Sequence, residues 1–132
     1  MKQFDEFTWA YIECALWSSC DANQGDEPLD ANYDSSDLAP ETLAEMLEDC
    51  ADFQKSFGSL VPPGDDAQAG YDFWLTRNGH GAGFWDGDWA RSMPPDHWAA
   101  RQYKTVGDFL TAMSKPYGEV DLYVGDDGLI YC

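Results

Sequence analysis

GYDFWLTRNGHGAGFWDGDW, residues 70–89, is the stretch that decides the predicted fold. Two aromatic-rich runs flank a glycine-rich loop, and the stretch holds three of the six Trp residues. Aromatic residues favour strands, and Asn78-Gly79 is a strong turn signal between the two runs. The pattern predicts a β-hairpin at the centre of a small sheet, with a first strand over about 71–77 and a second strand over 84–86.

Three helices are predicted on either side of this stretch, because apolar residues recur there at three-to-four spacing. In the first helix, Trp9 widens the apolar stripe. Helix-start and helix-stop residues place the three helices at about 5–19, 40–57 and 105–115. A second hairpin is predicted over 120–131, with its turn at 125–128.

These elements predict a single α+β domain over residues 1–132. About three helices pack on one face of an antiparallel sheet of about four strands, which come from the two hairpins. Two polar or irregular segments remain, over 18–37 and 87–104. The second contains Trp89 and Trp98 and could be a lid, an interaction loop or a short helix.

Composition predicts a globular protein, and the lack of a secretion or membrane-spanning pattern predicts that it resides in the cytoplasm. Apolar residues make up 44% of it and aromatic residues 15%, which is enough for a hydrophobic core. No apolar run approaches the ~20 residues that cross a bilayer, and the first residues lack the pattern of a signal peptide. The four Cys residues form no CxxC pair, so we expect free thiols, with Cys14 and Cys50 on apolar helix faces.

The net charge of −18 is the most unusual property of the chain. Residues 1–72 carry seventeen Asp and Glu against two Lys, whereas residues 73–132 carry eight against five Lys and Arg. Such a charge repels nucleic acid and anionic membranes and attracts basic surfaces. It could serve solubility or adaptation to a salty host, or the acidic half could itself be the ligand of a basic groove.

The second predicted helix concentrates this charge in one row. Glu41, Glu45, Glu48 and Asp52 recur at spacings of four, three and four, with Asp49 beside them. Like charges at this spacing cost a helix a few tenths of a kcal/mol per pair, so the row is a poor choice for stability alone. Carboxylates ~6 Å apart approximate the spacing of phosphates along a nucleic-acid strand. The predicted partner-binding residues are this row and the acidic loop before it: Asp30, Asp34, Asp37, Glu41, Glu45, Glu48, Asp49 and Asp52.

Part of that loop resembles a calcium-binding loop. The ligand-type residues at its first, third, fifth and twelfth positions are Asp30, Asn32, Asp34 and Glu41. Ser35 stands where the sharp turn needs Gly, and Pro28 disfavours an entering helix. We therefore expect a turn-rich loop rather than a metal site, and no cofactor.

A second candidate site centres on His80 in the glycine loop. His80 could act as an exposed acid or base, with Asp72 and Asp86 flanking it across the predicted hairpin and Arg77 clamping an anion. The alternative is a tight turn in which the glycines supply positive φ and His80 bonds to the backbone. No nucleophile or metal motif accompanies the group, so a small enzyme or ligand-binding protein is the second functional hypothesis.

Four segments resemble a family of small acidic proteins encoded by bacteriophages, prophages and other mobile elements. The segments are AYIECALWSS, DEPLDANYDSSDLAPETLAEM, YDFWLTRNGHGAGFWD and YGEVDLYVGDDGLIY. The family commonly has His where this chain has Tyr71, so any chemistry of that His would be missing here. The resemblance covers most of the chain outside about 58–69 and 87–104.

The resemblance and the charge together imply an anti-defence protein. Small acidic phage proteins often imitate DNA and block nucleases, restriction enzymes or CRISPR complexes. The leading hypothesis is therefore an inhibitor, not an enzyme, that presents its acidic face to the basic groove of a nucleic-acid-binding protein complex. A structural or accessory phage protein is a third hypothesis, and a monomer and a dimer both remain open.

Overall fold

A computed structural model of the chain describes residues 4–21, 25–79, 82–85 and 87–132. The α-helices within these residues are α1 (Glu6–Ser18), α2 (Pro40–Phe57), α3 (Asp66–Arg77) and α4 (Val106–Ser114). The strands form two separate antiparallel pairs, β1 (Cys20–Asp21) with β2 (Glu27–Pro28) and β3 (Tyr123–Val124) with β4 (Ile130–Tyr131). The α+β class is confirmed, but each strand pair is short and the helices dominate.

The three helices predicted by periodicity are confirmed, with ends close to those expected. The Asp5 side chain caps α1 by accepting a 2.8 Å hydrogen bond from the Thr8 amide. Pro40 is the first residue of α2, where its missing N–H costs nothing. Thr105 caps α4 by accepting from the Asp108 amide at 3.1 Å. These starts were predictable because each depends on residues adjacent in the chain.

The predicted strand over 71–77 is wrong, because these residues form the second half of α3. Gly70 explains the packing that favours the helix. A Cβ atom on Gly70 would overlap the backbone carbonyl of Phe7, so the glycine lets α3 approach the backbone of α1 closely. Apolar burial then follows helical spacing, with Ala69, Phe73 and Trp74 all buried. The aromatic run that suggested a strand is the buried side of a helix.

The Asn78-Gly79 turn signal ends α3 instead of joining two strands. Gly79 adopts φ +67°, the left-handed conformation that commonly follows a helix. The Asn78 side chain donates to the Trp74 carbonyl at 2.9 Å and accepts from the Val120 amide at 2.7 Å. Phe84 and Trp85 lie in a turn, and Asp86 lies outside the described residues. The predicted central hairpin and four-stranded sheet are therefore wrong.

The predicted C-terminal hairpin is confirmed, with shorter strands than expected. Tyr123 pairs with Tyr131, and Gly128 adopts φ +79° in the turn. Beside this hairpin, the Ala39 amide donates to the Ile130 carbonyl at 2.9 Å. This bond attaches the beginning of α2 to the C-terminal strand and so fixes the direction in which α2 leaves.

The core is a cluster of aromatic and aliphatic side chains that draws on all four helices. At its centre the Phe53 and Phe73 rings stack with centroids 4.2 Å apart, and the Phe53 and Phe84 rings stack at 5.7 Å. Cys14 and Cys50 are buried free thiols, as expected. Among the described residues, no helix is long and apolar enough to cross a membrane.

Candidate protein-binding face

Helix α2 separates apolar and acidic side chains onto opposite sides. Its buried side consists of Thr42, Leu43, Met46, Cys50 and Phe53. On the other side, the side chains of Glu41, Glu45, Glu48 and Asp52 are exposed. At the rise of an α-helix these four residues extend over ~16 Å, and their spacing keeps them within a narrow arc. We call these four residues the acidic row.

The acidic row has no salt-bridge partner among the described residues. Two of them accept hydrogen bonds from the C-terminal part of the chain. Asp52 accepts from the Tyr117 hydroxyl at 2.6 Å, and Glu45 accepts from the Cys132 thiol at 3.2 Å. Neither donor is cationic, so no described residue forms an ion pair with the row.

Asp49 is turned away from the row. Its carboxylate lies 2.8 Å from the guanidinium of Arg77, and its side chain is only 33% exposed. Asp49 therefore neutralises a buried cation, and we leave it out of the candidate surface.

The acidic loop before α2 is an ordered turn. Asp34 accepts from the Ser36 amide at 2.9 Å, and Asp37 accepts from the Asp34 amide at 2.9 Å, which together form a capping box. The hydrogen bonds from Ser36 outweigh a small desolvation effect and lower the pKa of the exposed Asp34 carboxyl. Asp34 and Asp37 thus hold charges just before the row, whereas Asp30 lies in a separate 3₁₀ turn.

The calcium-like spacing does not produce a metal site in the described part of the chain. No group of three or more His, Cys, Asp or Glu is placed there to hold a metal ion. The carboxylates of Asp34 and Asp37 bond to nearby backbone amides instead. Asn32 donates to the exposed Glu27 side chain at 3.2 Å.

In the second candidate site, Asp72 is a buried residue that supports the core. His80 and Asp86 lie outside the described residues. Asp72 is 5% exposed and accepts from the Trp89 indole at 2.5 Å and from Gln68 at 3.1 Å. This carboxylate therefore orients Trp89, whose ring is fully buried in the core.

Arg77 is not available to clamp an anion. Its guanidinium donates to the carbonyls of Gly118 and Tyr117, to the Tyr11 hydroxyl and to Asp49, all at 2.7–2.9 Å. Asp72 and Arg77 are also five residues apart on one helix, so their side chains point ~140° apart. The structure does not bring them together as the hairpin prediction required.

Comparisons with models of protein families, with curated proteins and with solved structures were made for the whole chain. None of them found a match. The resemblance to acidic phage proteins therefore remains a prediction, and the functional argument rests on the surface of the molecule.

One surface feature contradicts the sequence analysis. Trp9 was expected to widen the buried stripe of α1, but its side chain is 44% exposed. Trp17, two turns later on the same helix, is 46% exposed, and the exposed Glu13 lies between them. The i, i+4, i+8 spacing of these three residues was the signal that they share one outward face. Trp98, in the irregular segment before α4, is exposed to 71% and stacks on His97.

Proposed function

We propose that this protein is an inhibitor encoded by a phage or another mobile element. Its acidic row, extended by Asp34 and Asp37, binds the basic groove of a host nucleic-acid-binding defence complex, such as a CRISPR effector or a restriction nuclease. The bound inhibitor occupies the space that the sugar–phosphate backbone of DNA or RNA would take. The partner is a protein complex, and the inhibitor itself binds neither nucleic acid nor membrane.

One observation carries this proposal: four exposed carboxylates follow one side of α2 without a cationic partner among the described residues. Their mutual repulsion costs the isolated helix a few tenths of a kcal/mol per pair. A basic groove removes that repulsion on binding. The net charge of −18 also steers the inhibitor toward such a groove and speeds encounter at low salt.

The side of α2 opposite the acidic row is held in the core, which suits a helix that binds a partner. The apolar side of α2 is anchored in the core by Met46, Cys50 and Phe53. Its beginning is attached to the C-terminal strand through Ala39 and Ile130. The carboxylates therefore need little reorganisation on binding, which lowers the entropic cost of association.

The test is a panel of nucleic-acid cleavage assays with CRISPR effectors and restriction nucleases, with and without the protein. Wild-type protein is expected to inhibit at least one complex, less strongly as salt rises. The triple variant Glu41→Lys, Glu45→Lys and Glu48→Lys is expected to lose this inhibition. The matched control reverses the exposed residues Asp96, Asp121 and Asp126 to Lys. It changes the net charge equally and is expected to keep most of the inhibition.

Two outcomes would overturn the proposal. The first is full inhibition by the α2 triple variant, since the acidic row would then be unnecessary. The second is equal loss of inhibition in both triple variants, because net charge rather than this face would then be responsible. Unchanged circular dichroism of both variants excludes unfolding as the cause of a loss.

A further inference from the structure

An open apolar groove lies between the beginning of α1 and the beginning of α2. It encloses a cavity of about 510 Å³. Its lining consists of Phe4, Trp9, Ser35, Ser36, Leu38, Pro40 and Leu43. Most of these side chains are apolar, and none is basic.

Trp9 gives the groove an aromatic wall. Its indole stacks on the Phe4 ring, with centroids 5.7 Å apart and planes at 19°. Its side chain is nevertheless 44% exposed. A half-exposed Trp beside an open apolar cavity is the arrangement of an interface hot spot, because covering the indole removes a large apolar area from water.

The charged residues that neighbour the groove lining in the described sequence are acidic. The acidic residues Asp34, Asp37 and Glu41 alternate along the chain with the residues that line the cavity. All three belong to the proposed partner-binding set. Hydrogen bonds from Ser36 lower the pKa of Asp34 and so favour its ionised form. An apolar groove next to acidic residues disfavours the binding of nucleic acid and acidic peptides, and it favours a cationic partner.

We propose that the groove binds a basic protein segment that carries an apolar anchor. The anchor side chain enters the cavity beside Trp9. Lys or Arg residues on either side of the anchor pack their aliphatic stems against the indole and pair with Asp34, Asp37 and Glu41. This inference rests on the proposed function, since it takes the acidic side of the molecule to be the side that meets the partner. It adds that affinity depends on an apolar contact, which the sugar–phosphate backbone that the inhibitor replaces does not offer the partner.

The first test uses fluorescence anisotropy with two labelled peptides of equal charge. One is a lysine-rich peptide with a central leucine pair, and the other has alanines in place of the leucines. We expect the wild-type protein to bind the leucine peptide about tenfold more tightly, since the cavity removes the apolar anchor from water. Trp9→Ala is expected to abolish most of this preference.

The matched control is Trp17→Ala, because Trp17 lies on the same helix, is equally exposed and does not line the cavity. It is expected to leave the preference unchanged. Ser35→Phe is a second variant, which fills the cavity without removing any apolar contact. It is expected to weaken binding of the leucine peptide and leave binding of the alanine peptide unchanged.

The outcomes separate this inference from the proposed function. If the α2 triple variant loses both peptides while Trp9→Ala and Ser35→Phe bind like the wild-type protein, the groove inference is overturned and the acidic row stands. If Trp9→Ala and Ser35→Phe remove the leucine preference while the triple variant binds both peptides normally, the apolar anchor site stands, whereas the acidic mechanism and the pairing with Glu41 are overturned. Equal binding of the two peptides by the wild-type protein would also overturn the groove inference.

Discussion

The guanidinium of Arg77 and the carboxylate of Asp49 form a 2.8 Å ion pair that joins the end of α3 to the middle of α2. The Arg77 side chain is 3% exposed and also bonds to the Tyr11 hydroxyl and to the carbonyls of Tyr117 and Gly118. The pair therefore fixes the helix that carries the acidic row, although one of its members was first predicted to bind a partner.

Replacing Arg77 should strongly destabilise the protein. Arg77→Met leaves the Asp49 charge and two carbonyls without their donor, and we expect a loss of about 3 kcal/mol in the free energy of unfolding. Asp49→Asn keeps an acceptor but leaves the buried guanidinium without its counter-charge, so it should cost a comparable amount. Urea denaturation followed by circular dichroism measures both values. Arg101→Met, at an exposed position, is the control and should change stability by less than about 0.5 kcal/mol. A similarly small change for Arg77→Met would contradict this account of the ion pair.

A single methyl group at Gly70 should disrupt the packing of α1 against α3. The Cβ of Gly70→Ala would overlap the Phe7 carbonyl, which is backbone and cannot move aside without shifting α1. We expect a loss of about 2 kcal/mol or more, against the gain in helix propensity that alanine normally gives.

Gly58→Ala is the matched control for Gly70→Ala. Gly58 has φ −61°, and a Cβ there would meet no atom within 4 Å. Alanine at this position should therefore be neutral or stabilising by about 0.5 kcal/mol. Thermal unfolding of the two variants compares them directly, and equal melting temperatures would rule out the close approach of α1 and α3.

The cap of α1 should make stability depend on pH in the acid range. Desolvation acts to raise the pKa of Asp5, but hydrogen bonds from Thr8 and Gln54 outweigh it and hold the pKa below the unfolded value of 3.8. The cap therefore contributes its full stability above that value and loses it as the pH falls through the lower folded pKa. Asp5→Ala should cost about 1 kcal/mol at neutral pH and less in acid.

Asp5→Asn is the control for this pH dependence. It keeps a side-chain oxygen for the Thr8 amide but does not titrate. Urea denaturation of the three proteins from neutral pH down to below pH ~4 should show the Asp5→Ala deficit shrinking in acid relative to wild type. The difference in free energy of unfolding between Asp5→Asn and Asp5→Ala should stay constant as the pH falls. An Asp5→Ala deficit relative to wild type that stays constant with pH would contradict the role of the ionised cap.

Three helices could be predicted because each has one apolar side and a local start signal. In α2, for example, apolar burial and acidic exposure alternate with helical period, and Pro40 marks the beginning. The same helical periodicity predicted that the residues of the acidic row share one side of α2. The structure places their side chains at the surface. Trp9 was misassigned because its place on α1 lies beside the buried stripe, and only the position of neighbouring elements decides whether such a residue is covered.

Helix α3 could not be predicted because it is buried on most of its sides. Asp72, Thr76 and Arg77 are polar, but each finds a hydrogen-bond partner inside and is at most 5% exposed. The polar residues therefore did not mark a solvent-facing side, and the helical period was hidden. The aromatic run then favoured a strand by local preference alone.

The sequence by itself determined the charge, its concentration in residues 1–72, and the helices and turns that depend on neighbouring residues. These properties follow from composition and from interactions within a few positions of the chain. Only the tertiary structure decided that α3 is a helix, that Asp49 and Arg77 neutralise each other, and that Trp9 faces an open groove. Each of these depends on burial against residues far away in the chain, and burial determines whether a polar group is paired and whether an apolar group is covered.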